Sequence, residues 1–178
     1  MAHREQKMFC QYVRYLHQDY FVGKDVLDVG SRDVNGNNRY LFENCNYLGC
    51  DITSGDNVDI VSKIHEYQGE DESFDTIIST ECLEHDENYV SSLRSIMRML
   101  KPNGIFIMSC ATTGRPEHGT LNTDGDSSCP QLNTNYYKNL TEQDIREALP
   151  SIVEEVFSSF NFAVNEKSCD LYFWGIKK

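Results

Sequence analysis

The chain has 178 residues, 39% hydrophobic and 25% charged, enough for one compact domain that buries its core without disulfides or structural metal. Its formal net charge of -12 opposes non-specific binding to a phosphate backbone, which rests on clustered Lys and Arg, so large nucleic acids are not expected as substrates. No apolar run approaches the ~20 residues of a membrane span, and MAHREQKMF lacks the apolar stretch of a signal peptide, so a cytoplasmic protein without a membrane span is expected.

In chain order, residues 1–22 are read as a helical cap, with Phe9, Tyr12, Val13 and Leu16 forming its apolar face. Strands follow at DVLDVG (25–30), NYLGCD (46–51) and, more weakly, NVDIVS (57–62). FDTIIST (74–80) and GIFIMSC (104–110) are nearly continuous apolar runs, as strands covered on both faces require. Between them Val90, Leu93, Ile96, Met97 and Leu100 recur at helical spacing, and Lys101-Pro102-Asn103-Gly104 is expected to stop that helix and turn the chain. This βαβ pattern predicts a mostly parallel sheet with helices on both faces, which binds ligands beyond the carboxyl ends of its strands.

Residues 24–109 form this core. Residues 110–136, rich in Thr, Gly, Asn and Asp, are too long for an ordinary connector and read as a substrate-side loop. Residues 137–178 hold a helix over TEQDIREAL, with Thr141 as N-cap, and two β-rich runs that should close the sheet as an antiparallel hairpin turning near Glu166. Trp174, alternating with Tyr172 and Ile176, is expected in the core.

The seven cysteines, at positions 10, 45, 50, 82, 110, 129 and 169, form no CxxC pair and are odd in number, which favours reduced thiols over a disulfide framework or zinc site. TDGDSSC (123–129) lacks the further ligands of a calcium loop. No metal is expected.

The loop after the first strand, VLDVGSRDVNG, constrains the cofactor. It lacks the Lys-Ser/Thr pair of a phosphate-binding P-loop and the GxGxxG of a dinucleotide fold. Asp28 would repel a pyrophosphate; it suits a cationic, phosphate-free cofactor such as S-adenosylmethionine. Asp51, 21 residues after Gly30, stands at a strand end where its oxygens can accept from both hydroxyls of a ribose.

VLDVG, Asp51, FDTIISTECLEH (74–85) and LKPNGIFIMS (100–109), in this order, resemble the motifs of class I S-adenosylmethionine-dependent methyltransferases, and most of all the small methyltransferase type 11-like subgroup. YYKNLTEQDI (136–145) resembles a later segment of that subgroup. The resemblance implies a Rossmann-like α/β fold and a cofactor site of Asp28, Gly30, Ser31, Asp51, Ile52, Ile64, His65 and Thr80. Within it Asp28 is either an ammonium ligand or a loop-capping carboxylate, and Lys63 stands where the family often has an acid for adenine. Arg32 and Asp33 replace more usual small residues, and either pair with each other or face the cofactor.

Catalytic candidates are Glu81, His85 and His118. Glu81 is a general base or orients the cofactor, and His85 is a base or a structural capping residue. The loop ATTGRPEHGT (111–120) concentrates Arg115 and Glu117 beside His118 at the substrate side; with Tyr137 they are candidate substrate contacts, against a surface loop whose charges pair with one another. The resulting expectation is methyl transfer to an oxygen or nitrogen of a small-molecule or saccharide acceptor. The alternative is a non-catalytic interaction module built on the same fold. Oligomeric state is not readable from these features.

Overall fold

The computed structural model describes residues 3–123 and 135–178. Among them a seven-stranded sheet runs in the order β3-β2-β1-β4-β5-β7-β6. Its strands are β1 (Asp25–Val29), β2 (Asn46–Asp51), β3 (Ile60–Val61), β4 (Phe74–Thr80), β5 (Leu100–Ala111), β6 (Phe157–Asn165) and β7 (Asp170–Lys177). The first five are parallel, and β7 inserts antiparallel between β5 and β6.

Successive side chains of a strand point to opposite faces, so the apolar runs of β4 and β5 divide between two cores. Ile77, Phe106 and Met108 face one way, where Leu93, Ile96 and Met97 of α2 (Tyr89–Met99) and Ile145 and Ala148 of α3 (Glu142–Ala148) cover them. Ile78, Ile105 and Ile107 face the other way, under Cys10 and Val13 of α1 (Arg4–Leu16). Thr141 caps α3 in a reciprocal box with Asp144, each side chain taking the other's backbone N–H. A one-turn helix α4 (Val153–Val156) leads into β6.

Three expectations are corrected. The stop at Lys101–Gly104 is no turn: helix α2 passes directly into β5, and the extra residues are absorbed as a bulge where the register against β4 shifts between Phe74 and Thr76, with Asn103 at φ 61°. The buried face of α1 is Gln6, Cys10 and Val13, while Tyr12 and Leu16 are 57% and 44% exposed. Gln6 takes an inner position because its amide donates to Asn38 Oδ1, at 3.3 Å, and so tolerates burial. Finally, β3 shrinks to two residues; before it, Asn57 donates its side-chain amide to the Ser31 carbonyl and the Asp59 carboxylate accepts from Gly49 N–H of β2. Trp174 is half-buried and packs on His17 with ring centroids 4.4 Å apart. The six described cysteines are free thiols; Cys129 and all of TDGDSSC after Thr123 lie outside the described residues.

Candidate active site

The chain order reverses between β1 and β4, and a cleft of about 430 Å³ opens there at the carboxyl ends of the strands, where parallel sheets bind ligands. Its floor depends on Gly30. This residue has φ 78°, and a Cβ on it would stand 2.5 Å from both Cβ and Sγ of Cys82, so only glycine permits β1 and the β4 loop to meet here.

One half of the cleft is built by the ends of β1 and β2. Asp28 is 2% exposed; its Oδ2 accepts from the Tyr47 hydroxyl and, at 3.5 Å, from Asn57, while Oδ1 has no hydrogen-bond partner among the described residues. Burial pushes its carboxyl up to about 6, against the opposing bond from Tyr47. The adjacent Ser31 hydroxyl is likewise buried without a partner. Asp51 is fixed by backbone donors, Arg32 N–H at 3.1 Å on Oδ2 and Thr53 N–H at 3.1 Å on Oδ1. Asp33 accepts from Gly36 N–H and Asn37, each at 2.6 Å, and so shapes the loop as a turn. Ile52, Ser62, Lys63 and Ile64 complete this wall; Lys63 lies 3.7 Å from Glu66.

The other half follows β4 and β5. Thr80 Oγ1 accepts from Asn38 at 2.9 Å, which links the cleft through Asn38 and Gln6 to α1. Glu81 sits at φ 53°, a left-handed conformation that costs a non-glycine residue about 1–3 kcal/mol and clusters at functional sites. Its Oε1 accepts from Ser109 Oγ at 2.8 Å, and its Oε2 lies 3.6 Å from His3 and 4.0 Å from Arg115. Both cations converge on Asp170, at 3.1 Å from His3 and 2.9 Å from Arg115. Contact with Asp170, and then with Glu81, raises His3 to about 10, so it is a cation at neutral pH.

Below Glu81 lies a second acid. Glu84 is fully buried, accepts the Ala111 N–H at 3.2 Å through Oε1, and leaves Oε2 without a hydrogen-bond partner among the described residues. Burial, then the neighbouring Glu81, holds its carboxyl well above the usual range. The His85 and His118 rings stand edge-to-face with centroids 5.1 Å apart, and Tyr137 packs on both. Burial lowers both imidazoles, His85 to about 3, so both are neutral.

Of the residues singled out in the sequence, Asp28, Gly30, Ser31, Asp51, Ile52, Ile64, Thr80, Glu81, His85 and His118 line this one cleft. Four do not. His65 turns toward Ser92, at 3.5 Å, and Glu66. Arg115 is engaged by Asp170 and the Ser168 carbonyl, Glu117 accepts from Thr120 at 2.6 Å, and Tyr137 donates to Asn139 at 2.8 Å. Sequence reasoning passed over Glu84, His3, Asn38 and Asp170. Only Glu84 had a local signal, its place three residues after Glu81; His3 and Asp170 come from opposite ends of the chain and meet only in the fold.

An α/β sheet with a switch-point cleft and a carboxylate ending β2 is a frame for nucleoside cofactors, and the loop after β1 lacks the GxGxxG by which dinucleotide folds hold a pyrophosphate. Residues 27–108 match the family described as "Methyltransferase domain", so the central part of the chain is similar to that family. No curated protein sequence matches the chain. Among solved structures it is similar to the 1,6-didemethyltoxoflavin-N1-methyltransferase of Burkholderia thailandensis, with 17% identity, TM-score 0.65, and 98% of this chain against 80% of that one covered. It is also similar to phosphoethanolamine N-methyltransferase 2 of Haemonchus contortus, with 17% identity and TM-score 0.62 over 94% of this chain and 52% of that one.

Proposed function

We propose that the chain passes the methyl group of S-adenosylmethionine to an oxygen or nitrogen of a small-molecule or saccharide acceptor seated beside Glu81. The observation that carries this reading is the pair of buried polar atoms at the end of β1, Asp28 Oδ1 and Ser31 Oγ, that have no hydrogen-bond partner among the described residues. A buried acceptor left unbonded costs about 1–3 kcal/mol. The α-ammonium of the cofactor is a donor of the right sign for Asp28. When bound, the cofactor supplies an activated methyl on a sulfonium, so alignment matters more than acid–base help.

In this reading Gly30 lets the backbone approach the methionine portion, and Asp51, held by two N–H groups, accepts from the ribose hydroxyls with its remaining lone pairs. Ile52 and Ile64 flank the adenine; the edge contact falls to the segment 62–64, because His65 turns away. Glu81, fixed by Ser109, takes up the acceptor's proton where one must leave. The two similar structures are named for N-methyl transfer to small molecules, which supports a small acceptor. The acidic surface does so as well.

The test compares thermal stabilisation by S-adenosylhomocysteine, S-adenosylmethionine and a nicotinamide dinucleotide, since a ligand bound only to the native state raises its stability. Both sulfur ligands should stabilise, and Asp28→Ala and Asp51→Ala should weaken the effect. Stabilisation by the dinucleotide alone, or an unchanged effect in both variants, overturns the assignment. An acceptor screen that reads homocysteine-product formation then identifies the substrate.

A further inference from the structure

We infer that Glu84, His85 and His118 form a binding site for a divalent transition metal at the acceptor end of the cleft. One ligand atom from each of the three lies within 4.8 Å of the others. Two donors on one ion stand about 3–4 Å apart when each bond is about 2.0–2.2 Å. His118 Nε2 and Glu84 Oε1 are 3.9 Å apart. That separation is too long for a hydrogen bond between them and is the span of two ligands on a shared ion.

The protonation pattern points the same way. His118 Nδ1 lies 3.1 Å from the Pro116 carbonyl, which can only accept, so Nδ1 carries the proton and Nε2 presents its lone pair. This Nε2 is buried without a hydrogen-bond partner among the described residues, and so is Oε2 of the fully buried Glu84. The Glu84 carboxyl and the His118 imidazole, 3.9 Å apart through Oε1 and Nε2, thus each keep a buried atom without a hydrogen-bond partner among the described residues, an arrangement that a cation relieves. A backbone carbonyl bonded to the other ring nitrogen is also the support that metal-bound histidines use.

A second trio, His3, Glu81 and Asp170, is equally compact, yet its positions are filled differently. His3 lies 3.1 Å from Asp170, and the Arg115 guanidinium, 2.9 Å from the same carboxylate, already supplies a fixed positive charge. A metal ion there would meet that charge.

Two imidazoles and one carboxylate suit zinc, iron(II), manganese or cobalt rather than calcium. Three protein ligands leave coordination positions open. Because His85 and His118 both line the cleft, those positions face the acceptor, where a bound ion would hold an acceptor oxygen and polarise it. The histidines then serve as ligands and not as proton acceptors.

The inference is tested on the full chain stripped with a chelator. Cobalt(II) titration should develop visible d–d absorption saturating at one equivalent, and calorimetry with zinc(II) should give the same stoichiometry. His85→Ala and His118→Gln should each weaken binding at least about 100-fold, the upper end of what loss of a mere outer-shell partner costs. Cooperative melting of the metal-free variants confirms that they fold. Absence of a d–d band in the wild type, or affinities within about tenfold of wild type in both variants, overturns the site. S-adenosylhomocysteine stabilisation of the same stripped protein is read in parallel. If it persists while cobalt fails to bind, the metal site falls and the cofactor reading stands.

Discussion

The two halves of the cleft handle buried polarity differently. After β1 and β2, the carboxylates of Asp28 and Asp51 are held by short-range partners, the Tyr47 hydroxyl for one and two backbone N–H groups for the other. After β4 and β5, Glu81, Glu84, His85 and His118 crowd together around a strained backbone at Glu81; both halves keep buried polar atoms without a hydrogen-bond partner among the described residues, Asp28 Oδ1 and Ser31 Oγ in the first, Glu84 Oε2 and His118 Nε2 in the second. The first half is a rigid cradle shaped by local chain geometry. The second gathers titratable groups whose pKa values burial displaces, Glu84 upward and His85 and His118 downward, a pattern that clusters at functional sites.

The largest expected effect falls on the joint between the halves. Gly30→Ala forces a Cβ to within 2.5 Å of Cys82 at a φ of 78°. Conformational strain of about 1–2 kcal/mol and overpacking of about 1–3 kcal/mol add, so chemical denaturation should show a loss of roughly 2–5 kcal/mol. Adding Cys82→Gly should recover the steric share and leave the strain. Recovery of the whole loss would show that φ at Gly30 costs nothing.

Glu81→Gln probes the acceptor half alone. It keeps the shape, removes the proton acceptor, and should lower kcat at least about 10²-fold. S-adenosylhomocysteine affinity, read by calorimetry, should move by less than about threefold. A matching loss of affinity would move Glu81 into the cradle and erase the contrast between the halves.

Asp28→Asn and Asp51→Ala probe the cradle. Each removes a charged or paired acceptor, and hydrogen bonds to charged groups contribute about 1.5–3 kcal/mol, so affinity for S-adenosylhomocysteine should fall roughly 10- to 100-fold. Asp51→Ala should also loosen the loop, since Arg32 and Thr53 N–H lose their acceptor; hydrogen exchange at those two amides reads this directly.

The cradle was legible in the sequence because its parts are local. A β-rich run ending in Asp28-Val29-Gly30, and another ending in Asp51, announce strand, turn and carboxylate together. Periodicity also exposed α2, the Thr141 cap and the hairpin. It misled at Lys101–Gly104, where a Pro-Asn-Gly string has turn chemistry but the neighbouring strand β4 recruits it as a bulge. It misled again at α1, where Gln6 is buried because Asn38, 32 residues away, satisfies it. The acceptor half was partly legible: Glu81, His85 and His118 carry suggestive chemistry, but Glu84 reads as an ordinary helix-face acid until burial is known. Arg115 and Glu117 read as candidate substrate contacts, and the partners they have in the fold, Asp170 and Thr120, are set by β7 and by the loop's own turn. Long-range pairing leaves no mark on local spacing.

The smallest effect is also the most specific to the cradle. Burial raises the Asp28 carboxyl from 3.8 to about 6. A carboxyl raised in the folded state favours the native form below its unfolded pKa, and this contribution is lost as pH climbs from about 4 through about 6. The ligand-free protein should therefore lose stability over that window. Binding a ligand ammonium has the opposite dependence, because it needs the carboxylate. With the free carboxyl at about 6, the ionised fraction rises roughly tenfold between pH 5 and pH 7, and affinity for S-adenosylhomocysteine should rise with it and level off above pH 7. Calorimetry in buffers of different ionisation enthalpy should detect close to one proton released per ligand at pH 5 and almost none at pH 8. Asp28→Asn should bind weakly with a flat profile. A pH slope that survives in that variant would assign the proton to the acceptor half, and the division between the two halves would then have to be redrawn.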